Sequence, residues 1–69
     1  MRVKINGKVE EVEQTTLAGL LHAKNIELRM VAIEHNGQMI DRAVLEQTQI
    51  VEGDEIEILF FMGGGCTTA

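Results

Sequence analysis

Proline, tryptophan and tyrosine are absent from this chain of 69 residues, which holds one cysteine and two phenylalanines. A single thiol excludes an intrachain disulfide and agrees with a reducing compartment. Basic residues are few: six Lys and Arg stand against eleven Asp and Glu, a net charge of −5. Nucleic-acid binding needs cationic surface and often stacking rings, so this composition argues against it. An acidic surface fits a basic protein partner by steering, or simply keeps a small domain in solution. No apolar run is long enough to span a bilayer, so no membrane role is expected. Met1-Arg2-Val3-Lys4 leads into alternating sequence without a signal-peptide core, and the expected location is the cytoplasm. His22, His35 and Cys66 lack the close spacing of metal ligands. No Ser-His-Asp or paired-carboxylate arrangement stands out. The chain is therefore expected to be neither an enzyme nor the holder of a cofactor or metal.

What is present is a series of strand, turn and helix signals. Arg2-Val3-Lys4-Ile5 alternates, and Asn6-Gly7 follows, the strongest short hairpin signal. Lys8–Glu13 reads as the returning strand, with a bulge expected between Val9 and Val12. Thr15-Thr16 supply a helix N-cap, and Leu17, Leu20, Leu21 and Lys24 share one helical face. Asn25 is a candidate left-handed cap at the helix end. Ile26 and Leu28 pack a connection into a third strand, where Val31 and Ile33 alternate with Ala32 and Glu34. Asn36-Gly37 turns into a short strand, Gln38-Met39-Ile40, and Ala43-Val44-Leu45 reads as one helical or 3₁₀ turn. Residues 51–55 turn into a last strand, 55–61, with Ile56, Ile58 and Phe60 on the core face and Glu57, Leu59 and Phe61 on the other. Glu52, Asp54, Glu55 and Glu57 read as a solvated acidic rim beside it. One helix on a mixed sheet of four or five strands is an α+β architecture, with the first and last strands side by side as in a β-grasp.

The domain should occupy residues 1–61, leaving 62–69 as a flexible tail. That tail holds Gly63-Gly64-Gly65. Three bare glycines add nothing to a core, but they make a backbone thin enough to enter a narrow channel. Leu59 and Phe61, with Met62 beyond, would emerge next to it as an apolar docking patch, or cover the edge of the core. Cys66 stands next to Gly65 with no His or Lys beside it to activate the thiol, so it reads as a spare residue.

The chain resembles the small ubiquitin-like sulfur carriers, and among them those of thiamine biosynthesis. The likeness runs from residue 2 to residue 65. It rests on Ile5-Asn6-Gly7-Lys8, Leu17-Ala18-Gly19-Leu20-Leu21, Val31-Ala32-Ile33-Glu34-His35-Asn36, Val51-Glu52-Gly53-Asp54-Glu55-Ile56-Glu57-Ile58 and Phe61-Met62-Gly63-Gly64-Gly65. Each motif is short; their order and spacing carry the likeness. Arg42 falls where such carriers often have Arg, and otherwise reads as half of a surface salt bridge.

The resemblance implies a β-grasp fold and a protein co-substrate. An adenylating, E1-like enzyme would activate the carboxylate of Gly65, reached along Gly63 and Gly64. A sulfur donor would convert it to a thiocarboxylate, for delivery to thiazole synthase or another acceptor. This sequence departs from the family at one place: Gly65 is followed by Cys66-Thr67-Thr68-Ala69. The resemblance then implies a precursor, cut between Gly65 and Cys66 by a tail-trimming metalloprotease. The alternatives are delivery to a cysteine, homocysteine or molybdopterin route, a protein-modifier role, or a β-grasp binding module without C-terminal chemistry.

Overall fold

Two asparagine–glycine turns shape the sheet. Asn6 and Asn36 each take a φ of 53°, followed by Gly7 at 82° and Gly37 at 86°. Positive φ at both central residues gives the turn the twist of the strands it joins. The computed structural model describes residues 1–61. The first turn joins β1 (Arg2–Ile5) to β2 (Lys8–Glu11), and the second joins β3 (Val31–His35) to β4 (Gln38–Ile40). With β5 (Glu55–Phe60) they form one five-stranded sheet in the order β2-β1-β5-β3-β4. β5 is central, parallel to β1 and antiparallel to β3. This is the expected α+β, β-grasp arrangement.

The helix α1 (Leu17–Ala23) starts where Thr16 Oγ1 accepts the Gly19 N–H at 3.0 Å. It ends as Asn25 turns left-handed at φ 60° and the Ile26 N–H reaches the Leu21 carbonyl at 2.9 Å. Its buried face is Leu17, Leu20 and Leu21. These pack with Val3, Ile5, Val31, Ile33, Leu45, Ile50, Ile56 and Ile58 into the core, flanked by Ile26 and Leu28. Each such side chain contributes about 1.5–3 kcal/mol when fully buried. A 3₁₀ turn at Leu28–Met30 leads into β3, and a second at Arg42–Val44 delivers Leu45 to the core.

Two strand expectations are corrected. The β1–β2 register is unbroken from Arg2↔Glu11 to Ile5↔Lys8, so there is no bulge. Regular pairing leaves Val9 exposed on the outer face while Val12 turns inward. Glu10, on the inward face, meets Lys24 at 2.8 Å. The second correction is Phe60, which is 58% exposed despite lying in phase with Ile56 and Ile58. A seven-residue helix is roughly 10 Å long, whereas six strand residues span roughly 20 Å. On that arithmetic the helix falls well short of covering β5 along its whole length.

Candidate functional site

Strand β5 leads to the tail, and it is held from both sides. The β3 register runs from Val31↔Phe60 to His35↔Ile56, and β1 pairs through Lys4↔Glu55 and Ile5↔Ile56. Both turn asparagines also clamp it. Asn6 Oδ1 accepts the Ile58 N–H at 2.7 Å, and Asn36 Oδ1 accepts the Glu55 N–H at 2.9 Å. Backbone bonding continues past the strand end, where the Phe61 N–H reaches the Met30 carbonyl at 3.0 Å. The last described residue is thus tied to the fold.

Around that exit the surface is apolar. Leu59, Phe60, Phe61 and Met30 are all exposed large side chains. Leu59 and Phe61, the two residues expected beside the tail, are both accessible. Phe60 adds an apolar ring on the opposite face, beside Val31 in register. Below Leu59 on the outer face, Glu57 stands directly opposite Glu34, and Met39 lies beyond Glu34. Met62, Gly63, Gly64, Gly65 and Cys66 lie outside the described residues.

The acidic rim has to be revised. Glu52, Glu55 and Glu57 are exposed, but Asp54 is buried, with 5% of its surface accessible. Its Oδ2 accepts the Val51 N–H at 2.8 Å and meets His35 Nε2 at 2.8 Å, while Oδ1 accepts from Asn36 Nδ2 at 3.1 Å. An ionised carboxylate has no hydrogen to give, so His35 Nε2 carries it. Burial pushes the Asp54 carboxyl up. The donors from His35, Val51 and Asn36 and the charge of the ring outweigh it and hold the group below its ordinary value. His35 is therefore part of this buried cluster. The signal was in the phase: Asp54 falls on the same face as buried Ile56 and Ile58, and His35 on the same face as buried Val31 and Ile33.

On the helix side an open groove of about 700 Å³ lies between α1 and the two 3₁₀ turns, with Arg29, Arg42 and His22 at its rim. Arg42 makes no ion pair among the described residues; its Nη2 donates to the Arg29 carbonyl at 3.4 Å. Among the described residues no group of three His, Cys, Asp or Glu side chains could hold a metal. No described helix is long and apolar enough to cross a membrane.

A five-stranded mixed sheet with one helix packed on it, and with apolar side chains exposed at the end of its central strand, defines a ubiquitin-like, β-grasp protein. The chain belongs to the ThiS family, whose profile matches residues 3–65. The sulfur carrier protein ThiS of Bacillus subtilis is 32% identical over 65 residues, 91% of this chain and 98% of that one. A thiazole synthase of Magnetococcus marinus is 35% identical over 66 residues, 94% of this chain. The chain spans only 20% of that synthase's length. The crystal structure of a thiamine biosynthesis protein, ThiS, from Geobacter metallireducens superposes with a TM-score of 0.81 at 35% identity. That match covers 94% of this chain and 100% of the other.

Proposed function

We propose that this chain is a precursor of a sulfur carrier for thiamine thiazole biosynthesis. The observation that carries the reading is where the family match stops: at Gly65, the last of three glycines, with Cys66 bonded after it. In the peptide, Gly65 has no carboxylate to activate. Cleavage of the Gly65–Cys66 bond by a metalloprotease would supply one. An adenylating enzyme then joins that carboxylate to the α-phosphate of ATP and releases pyrophosphate. This replaces an anionic, poorly leaving oxygen with AMP. A sulfur donor displaces AMP, a carbon–sulfur bond forms, and Gly65 ends as a thiocarboxylate.

In this scheme the chain is a carrier on which other enzymes act. β5 fixes the base of the tail, and Gly63 and Gly64 let bare backbone enter the activating channel. Likeness to a segment of a thiazole synthase supports thiazole as the destination of the sulfur. The test is intact mass spectrometry of two chains, full-length and stopped after Gly65, each with the adenylating enzyme, ATP and a sulfur donor. Only the stopped chain should gain the mass difference between sulfur and oxygen, located on Gly65. If it is never activated, while the full-length chain binds a partner with its tail intact, the protein is a binding module instead.

A further inference from the structure

The helix covers one face of the sheet, yet at the end of β5 apolar side chains are exposed on both. Leu59 stands beside Ala32 on the outer face, and Phe60 beside Val31 on the helix face. Phe61, hydrogen-bonded to Met30, closes the end. A partner with a flat docking surface could cover Leu59 or Phe60, but not both, because neighbouring side chains on a strand point in opposite directions. The two faces also differ in charge. On the outer face Glu34 and Glu57 are directly opposed, and neither is in an ion pair among the described residues. Like charges in that position repel, so they favour a cation brought from outside. Glu55 follows on the same face, beside Lys4. On the helix side the exposed charges near Met30 are mixed: Arg29 pairs with Glu27 at 3.0 Å, and Arg42 lies against the Arg29 carbonyl.

We propose that the adenylating enzyme grips the end of β5 in a two-walled apolar cleft. One wall meets Leu59 and carries Arg or Lys opposite Glu34 and Glu57; the other receives Phe60. The proposal rests on the carrier reading, and it makes Phe60 an anchor equal to Leu59.

The experiment uses the chain stopped after Gly65 and the adenylating enzyme encoded by the same genome. Calorimetric titration gives Kd, and ATP–pyrophosphate exchange gives activation. Leu59→Ser and Phe60→Ser should each weaken binding roughly tenfold, the scale of a buried interface anchor. Phe60→Leu should restore most of it. Glu34→Lys and Glu57→Lys should slow association and flatten its salt dependence. Thermal melts should leave Phe60→Ser at the wild-type midpoint, since the ring is already exposed. Binding by Phe60→Ser at wild-type strength overturns the cleft, while activation of the unmutated chain would leave the carrier reading intact. Sedimentation showing a dimer that Phe60→Ser dissolves also overturns it, assigning the ring to a second copy of this chain. Absence of any activation by the unmutated chain counts against the carrier reading alone, because the titration still reports on the cleft.

Discussion

Replacing Asp54 tests the most heavily connected side chain in the structure. Its carboxylate accepts from the Val51 N–H, the His35 ring and the Asn36 amide. Its own carbonyl accepts the Lys4 N–H at 2.8 Å, so the residue joins β1, β3, the second asparagine turn and the entry to β5. A hydrogen bond to a charged group nets about 1.5–3 kcal/mol. In Asp54→Ala the exposed Asn36 amide regains water at little cost. The Val51 N–H and the largely buried His35 ring do not, so the loss should be about 3–4 kcal/mol. A chain of this size has only about 3–10 kcal/mol of total stability. The melting midpoint should therefore fall by about 12–32 °C, at about 4–8 °C per kcal/mol. Asp54→Asn keeps an acceptor but turns an amide N–H toward one donor, and should lose about half as much.

Urea unfolding must be followed by far-ultraviolet circular dichroism, since there is no tryptophan or tyrosine to report. The slope should stay constant while the midpoint moves. A loss below about 1 kcal/mol for Asp54→Ala refutes the reasoning, because the three contacts would then be worth no more than their hydrated counterparts. The pH dependence gives a second arm. The folded-state value lies below the ordinary 3.8, so the contribution is complete above 3.8 and is lost as pH falls through the lower folded value. The gap between wild type and Asp54→Asn should thus have its full width above 3.8 and shrink as the pH falls below it. Other carboxylates titrate in both proteins and cancel in the difference. A gap that holds constant into strong acid would sink the assignment.

Three further outcomes are expected. Gly19→Ala places a methyl against the Thr15 side chain, so it should destabilise by about 1 kcal/mol despite alanine's helix preference, and Thr15→Ala should relieve it in a double-mutant cycle by urea unfolding. Leu59→Ser and Phe61→Ser remove exposed side chains, so both should shift the unfolding midpoint by no more than about 0.5 kcal/mol equivalent. Inserting one glycine after Gly63 should move the Gly65 carboxylate by roughly 3.5 Å relative to Phe61 and slow adenylation of the trimmed chain, measured as pyrophosphate exchange.

Local signals were legible wherever one segment decides the structure. Asn6-Gly7 and Asn36-Gly37 could only be tight turns, and the helix was bounded correctly by Thr16 and Asn25. The pairing of the first and last strands was expected from the β-grasp reading, whereas the pairing of β3 with β5 was not read from the sequence. The bulge expected between Val9 and Val12 was wrong because the sequence shows two valines but not which one the helix can cover. Phe60 was placed on the correct face and still emerged into solvent, since periodicity gives direction and not coverage. Asp54 was lost among its acidic neighbours. Its partners Asn36 and His35 lie eighteen and nineteen positions away, so composition near Asp54 carried no trace of them. The phase of Asp54 with Ile56 and Ile58 did carry one, but a carboxylate in a glycine turn is read as solvated by default.

The two ends of β5 are built on opposite principles. At its entry, polar groups are buried and satisfied: Asp54 collects three donors, and Asn36 Oδ1 takes the Glu55 N–H. No buried side-chain polar atom among the described residues lacks a partner. At its exit, apolar groups are left exposed, though backbone bonding persists to Phe61. A domain concerned only with its own stability would bury those rings. Holding the strand rigid from one end frees the other to stay unburied, because the core below Ile58 already fixes its direction. From the Phe61 N–H to the Gly65 carboxyl the chain runs through five residues, a reach of at most about 18 Å. Whatever acts on Gly65 must therefore come close to Met30, Phe60 and Phe61, and these are the side chains that the fold leaves uncovered.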